Sequence, residues 1–170
     1  VVHAKTMIDG VSDAPKKDQL ISMEDGKIVS IEDYHETNED VIHANVVTPG
    51  FFNCHVHIME PVGFGTDKKF SLMEKAFYTQ KHCEDYLHSG VTFIRVLGTA
   101  NDYDMQVRDC IDSGLIQGPH MLCAGRCICM TGGHGWQEGI EADGVDECRK
   151  AARTLLKEGV DLIKIMATGG

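Results

Sequence analysis

Apolar and polar positions follow two rhythms along this chain, and the change falls near residue 47. Before it, Leu20-Ile21-Ser22-Met23 and Lys27-Ile28-Val29-Ser30-Ile31 are short strand-like runs bracketing Glu24-Asp25-Gly26. Asp-Gly between such runs predicts a β-hairpin. After it, buried-strand patterns alternate with helical ones. The first strand run enters from the turn Pro49-Gly50 through Phe51-Phe52. Three more follow at Gly90–Gly98, Gly118–Arg126 and Gly159–Gly170, each ending in polar or glycine-rich sequence. Between them, residues 70–88 place Met73, Ala76, Phe77, Cys83 and Leu87 near one helical face, with Gly90 as a stop. The stretch 102–113 opens on Asp102 as an N-cap and ends at Gly114. A third, 144–158, is capped by Asp143, carries Val145, Cys148, Ala152, Leu155 and Leu156 as apolar positions, and stops at Gly159. Strand and helix in strict alternation predict βαβ units, a parallel sheet and an α/β class.

Candidate chemistry sits at the ends of these strands. His55-Val56-His57 closes the first run. Residues i and i+2 of a strand share a face, roughly 6.5–7 Å apart, so two imidazoles there can converge on one divalent cation. Cys54 and Val56 are expected to face the other way. Lys164 stands inside the apolar run Leu162–Ala167, where an unpaired ammonium is costly and wants a partner, a depressed pKa or a covalent modification. His134 lies in Thr131-Gly132-Gly133-His134-Gly135, a loop whose glycines let backbone approach a ligand closely. Arg95 and Arg126 read as loop-fixing residues. His3, His35, His43, His82 and His88 show no ligand spacing and read as surface or helix positions.

Together the four strand segments resemble the amidohydrolase superfamily of metal-dependent hydrolases, within its imidazolonepropionase-like branch often labelled Xaa-Pro dipeptidases. The first strand of that branch reads Pro-Gly-Leu-Ile-Asp-x-His-x-His; here it runs Pro49 to His57 with Asn53 in the aspartate position. The Gly-Val-Thr-Thr-Val-Arg-Asp-Leu-Gly block corresponds to Gly90–Gly98, with Val96 where an aspartate is usual. The Ala-Gly-Arg and Thr-Gly-Gly-His-Gly blocks are intact between Ala124 and Gly135, although His120 replaces an arginine after Gly-Pro. The Ala-Asp-x-Ile-Lys-Ile block corresponds to Val160–Ile165. The resemblance implies the N-terminal half of a (β/α)8 barrel over residues 48–170, preceded by part of a small β-sandwich over residues 1–47. It implies that His55 and His57 bind metal, and that Lys164, carboxylated by CO2, bridges two zinc ions. His134 would contact substrate. Two further histidines and a general-base aspartate are expected beyond Gly170. The activity so implied is hydrolysis of amide or peptide bonds in small peptides or N-acyl amino acids with a free carboxylate, by metal-activated hydroxide. A cyclic-amide hydrolase and a non-catalytic scaffold paralogue share these motifs.

Composition narrows the partners. A formal charge of -10, spread along 170 residues, argues against nucleic acid and anionic membranes. No apolar run approaches the roughly 20 residues of a membrane span. Seven scattered cysteines fit reduced, buried thiols and a cytoplasmic protein better than a zinc module or a disulfide framework. A complete barrel needs roughly 200–250 residues, so the chain reads as a piece of a longer protein, inactive and not independently folded alone; the resemblance implies that the full-length hydrolase is a homo-oligomer. Phe52, Ile94, Leu122 and Ile163 are expected to face the missing half. The absence of an initiator methionine adds an expectation of N-terminal trimming.

Overall fold

A computed structural model describes residues 1–59 and 70–168, which fall into two units, Val1–Pro49 and Gly50–Gly170. The first is a four-stranded mixed sheet of β1 (Val2–Met7), β2 (Lys16–Glu24), β3 (Lys27–Asp33) and β4 (Ile42–Ala44), in the order β3-β2-β1-β4. The hairpin expected at Asp25-Gly26 joins β2 to β3. Both residues take positive φ, 49° and 73°, the two-residue turn whose twist matches the flanking strands. Ala4, Met7 and Ile21 form the small core, with Val2 and Val47 packed against it. β1 and β4 escape the sequence pattern because β1 alternates small and polar residues and β4 is only three residues long.

The second unit holds the parallel sheet β5 (Phe51–Val56), β6 (Val91–Val96) and β7 (His120–Cys123). Parallel neighbours need long crossovers, and α1 (Leu72–His88) and α2 (Tyr103–Asp112) supply them; α3 (Gly144–Glu158) follows β7. All three helices lie within the stretches expected. Ser71 caps α1 through a capping box, its hydroxyl taking the Glu74 N–H at 3.3 Å while the Glu74 carboxylate takes the Ser71 N–H at 2.9 Å. Gly159 ends α3 at φ 99°, donating to Leu155 and Leu156. Ile94, Val96, Met121 and Cys123 of the sheet pack with Met105, Ala151 and Leu155 of the helices in one core. The helical faces are rotated from expectation: Thr79 and Cys83 are buried in α1, whereas Met73 and Phe77 are exposed, as are Val145 and Leu156 in α3. No helix among the described residues is long and apolar enough to cross a membrane.

Two expectations need correction. Ile94 does not lie on the open face expected of it; it is fully buried on the helix-covered side, and Ile163 packs partly against the same core. The fourth strand is not a regular strand among the described residues, and Gly169 and Gly170 lie outside them. Asp161 does pair with the end of β7, donating to the Cys123 carbonyl at 2.9 Å, and residues 164–166 run beside Ile128, which donates to Lys164 at 2.8 Å and accepts from Met166 at 2.9 Å. The ladder breaks because the Asp161 side chain takes the Cys123 N–H at 2.9 Å, a donor that a strand carbonyl would otherwise occupy. Arg108 holds the same carboxylate oxygen at 2.8 Å. A short parallel pair, β8 (Ile128–Cys129) with β9 (Ile140–Glu141), follows β7 instead.

Candidate active site

The pairing register places the first two site residues. Asn53 pairs with Ile94 and Val56 with Val96, so Cys54 and His55 together oppose Arg95. That extra residue is a β-bulge, which re-aims side chains at a strand end. Arg95 compensates the broken ladder by donating from Nε to the Cys54 carbonyl at 2.7 Å, the loop-fixing role expected of it. Asn53 Oδ1 accepts the His55 N–H at 3.2 Å. The rings of His55 and His57 then lie 5.5 Å apart, edge to face, and both are exposed. Val56 is buried, whereas Cys54 is exposed, against the expectation of buried thiols.

His57 is oriented from behind. Its Nδ1 lies 3.2 Å from the carbonyl of Gly98, and a carbonyl only accepts, so Nδ1 carries the proton. Nε2 is left with its lone pair, the arrangement that suits a metal-binding imidazole. Gly98 sits at φ 122°, a backbone conformation that glycine alone adopts at no steric cost. The His55 imidazole is held below the ordinary histidine range, first by desolvation and then by the nearby charges of Lys164, His57 and Arg95. A neutral imidazole is the ligating form.

Lys164 is half-buried rather than enclosed. Its ammonium has no carboxylate partner among the described residues, yet it acts electrostatically on both His55 and Cys127. Two imidazoles thus sit together at the end of β5, and the Lys164 side chain is near enough to act on His55 electrostatically. Among the described residues no cluster of three or more histidine, cysteine, aspartate or glutamate side chains could hold a metal. The donor set fits a divalent metal to the extent of two imidazole nitrogens.

His134 is exposed on the loop between β8 and β9. That loop is held by Gly132 donating to Glu141 Oε1 at 2.6 Å and by Gly139 donating to Gly135 at 2.8 Å. It lies tight on Cys127: a Cβ at Gly139 would come within 2.8 Å of the Cys127 sulfur. Two clefts flank His57. One, of about 320 Å³, is lined by His57, Thr99, Cys127, Gly135, Glu138 and Met166 among others. The other, of about 60 Å³, adds Met59, Lys75 and Tyr103 and shares His57, Thr99 and Glu138. The loop of His134 therefore reaches the site, while His134 itself lines neither cleft. Glu138 was not singled out from the sequence, since a lone glutamate four residues past a histidine carries no signal there.

Other side chains outside the site have structural roles. Buried Asp104 accepts the N–H of Gly125 at 2.8 Å and that of Met105 at 2.9 Å, tying β7's end to α2. His3 and His43 meet Nδ1 to Nδ1 at 3.0 Å in the first unit, with Tyr34 stacked on His3. All seven cysteines are free, and Cys83, Cys123, Cys127 and Cys129 are buried, but Cys54 and Cys148 are exposed. Burial pushes the Cys83 thiol up to about 11, the mark of an inert packing residue.

Solved structures share this architecture. A Xaa-Pro dipeptidase with bound methionine in the active site superposes with a TM-score of 0.86 at 30% identity, covering 99% of this chain and 47% of that one. Ochratoxinase of Aspergillus niger superposes at 0.83 with 22% identity, covering 99% of this chain and 46% of that one. In sequence, Aspergillus niger ochratoxinase is 26% identical over 166 residues, 81% of this chain and 34% of the relative. The chain thus spans about a third of that curated relative and about half of the solved ones. The model of the amidohydrolase family matches residues 46–170, and the chain belongs to the amidohydrolase family.

Proposed function

We propose that residues 48–170 are the first half of a (β/α)8 barrel, preceded by part of a β-sandwich in residues 1–47, within a binuclear-metal amide hydrolase. The observation that carries this reading is the pair His55 and His57 at the bulged end of β5, with the Lys164 ammonium in electrostatic reach. Its substrates are small peptides or N-acyl amino acids with a free carboxylate. In this reading His55 and His57 hold the more buried of two zinc ions. Lys164 joins them after its amine adds to CO2 and loses a proton, which exchanges an unpaired cation for a carbamate with two oxygen donors. A metal so held supplies Lewis acidity, lowering the pKa of bound water toward neutrality and polarising the scissile carbonyl. His57 keeps its Nδ1 proton on Gly98, so its orientation persists whether or not the site is loaded. His134, on its glycine-rich loop, holds the substrate's carboxylate or carbonyl. The general base, an aspartate, lies outside this chain.

The test is the double variant His55→Ala/His57→Ala in the full-length protein. Bound zinc, by elemental analysis, and dipeptide hydrolysis should disappear together; near-normal metal content would overturn the assignment. Lys164→Ala should lose the paired metals, with partial recovery on adding a short carboxylic acid that restores the missing oxygens.

A further inference from the structure

Most acids around the candidate site are already engaged. Glu141 takes the Gly132 N–H, Asp143 takes the Thr131 N–H and hydroxyl, Asp161 is held by Arg108, and Glu158 is held by Arg126 at 2.7 and 3.0 Å. Glu138 is the exception. Among the described residues its carboxylate has no hydrogen bond and no ion pair, and it is the only acid lining either cleft beside His57. Both clefts share it, together with His57, Gly98 and Thr99, so a molecule entering either one meets the same carboxylate. The backbone under it is fixed, because Glu138 and Gly139 both donate to the Gly135 carbonyl, at 3.1 and 2.8 Å. Its charge is felt at the cleft floor: the Cys127 thiol is held above its ordinary range by burial first, with Glu138 among the charges that add to it.

Glu138 is exposed, and a carboxylate without an internal partner, on a fixed loop and lining both clefts beside the His57 imidazole, is free to receive a cation that enters them. We propose that Glu138 determines specificity by pairing with a cationic nitrogen of the substrate, so that the enzyme prefers free-amine or otherwise cationic peptides over neutral N-acyl amino acids. This rests on the hydrolase reading above and selects between its two substrate classes. Such a nitrogen could be the α-ammonium or a lysine-like side chain, and the two are separable. A charge-assisted hydrogen bond lost from a cleft costs roughly tenfold to a hundredfold in affinity.

The experiment uses the full-length protein with wild-type Glu138, Glu138→Gln and Glu138→Lys. Alanyl-methionine, N-acetyl-alanyl-methionine and N-acetyl-lysyl-methionine are compared as substrates, and their ketomethylene isosteres as ligands in calorimetry. Glu138→Gln should raise KM and isostere Kd roughly tenfold to a hundredfold for the cationic members, leave the neutral member unchanged, and hold kcat. Glu138→Lys should reverse the preference. Loss confined to alanyl-methionine assigns the α-ammonium, and loss confined to the lysyl compound assigns the side chain. Equal effects on cationic and neutral members, or no effect on either, overturn the proposal while leaving hydrolysis standing. Charge-selective binding of the isosteres without turnover would instead keep Glu138 and remove the hydrolase reading. A thermal transition matching wild type shows that each variant is folded.

Discussion

On the face of the β5–β6–β7 sheet that the helices cover, Ile94, Val96 and Cys123 are fully buried, whereas on the opposite face Phe52 is 68% exposed and Leu122 37%. Burying each of these covered apolar side chains is worth about 1.5–3 kcal/mol. The open face carries a different population: the stacked pair Phe52 and Phe93 at 4.6 Å, then Arg95, and at its end the two histidines. Stability and chemistry are thus written on alternate residues of the same strands, because successive side chains of a strand point to opposite faces. Val96 shows the separation at one position. It stands where a family aspartate is usual, yet it is fully buried in the core, where an unpaired carboxylate would be expensive.

The largest expected effect tests whether the open face stays open. If residues 48–170 are half of a barrel, Phe52 is a core residue of the longer protein. Phe52→Ala there should cost about 3–5 kcal/mol in urea unfolding. A cost of only about 0.5–1.5 kcal/mol, the worth of the Phe93 stack alone, would mean that nothing covers this face. Next comes the covered face. Leu155→Ala removes a fully buried side chain of α3 and should cost about 2–5 kcal/mol, while the metal proposed for His55 and His57 should stay bound at unchanged stoichiometry per folded molecule. A fall in metal stoichiometry with that variant would show that the two faces are not separable.

A smaller effect is expected at the seam between strand ends and helices. Asp104 is fully buried and takes two backbone N–H groups. Asp104→Ala leaves the Gly125 donor without its partner, at a cost of about 1–3 kcal/mol. The Gly125 carbonyl also accepts the Thr99 N–H at 2.9 Å, and Thr99 lines both clefts. Loosening there should therefore raise KM as well, measured with the same dipeptides; an unchanged KM would confine Asp104 to stability.

Those elements were legible in the sequence wherever a local rule was sufficient. Asp25-Gly26 specified its own turn, Gly159 ended α3, and His55-x-His57 announced itself by spacing on a strand. Asp143 does stand at the N-cap position of α3, but its carboxylate is taken by Thr131 and not by the helix. What the sequence concealed depended on contacts distant along the chain. The bulge that turns His55 is set by Arg95, 41 residues from Cys54. Asp161 interrupts the expected fourth strand by reaching Cys123, 38 residues away. Glu138 became visible only when its neighbours proved to be engaged and it did not. Helix faces were misjudged because apolar spacing alone does not say which stripe meets the sheet: Thr79 is buried, although polar, because its hydroxyl has partners at Ile58 and Lys75.

The smallest predicted effect lies at the start of α1, which the apolar pattern placed at residue 70 and the structure at Leu72. The boundary belongs to Ser71 and Glu74, whose reciprocal bonds occupy two otherwise orphaned donors. Ser71→Ala breaks one of them and should cost about 1 kcal/mol, well below a core truncation. The loss should be local. α1 is anchored further along by Thr79 and Cys83, both buried, so the first turn should fray while the rest of the helix holds. Hydrogen exchange should then quicken at the amides of the first turn and stay slow near Cys83. Ser71→Asp should restore protection, since aspartate caps as well as serine and favours the positive end of the helix dipole. Uniform acceleration along α1 would instead mean that the capping box holds the whole helix on the sheet, and the covered face would then depend on an exposed serine.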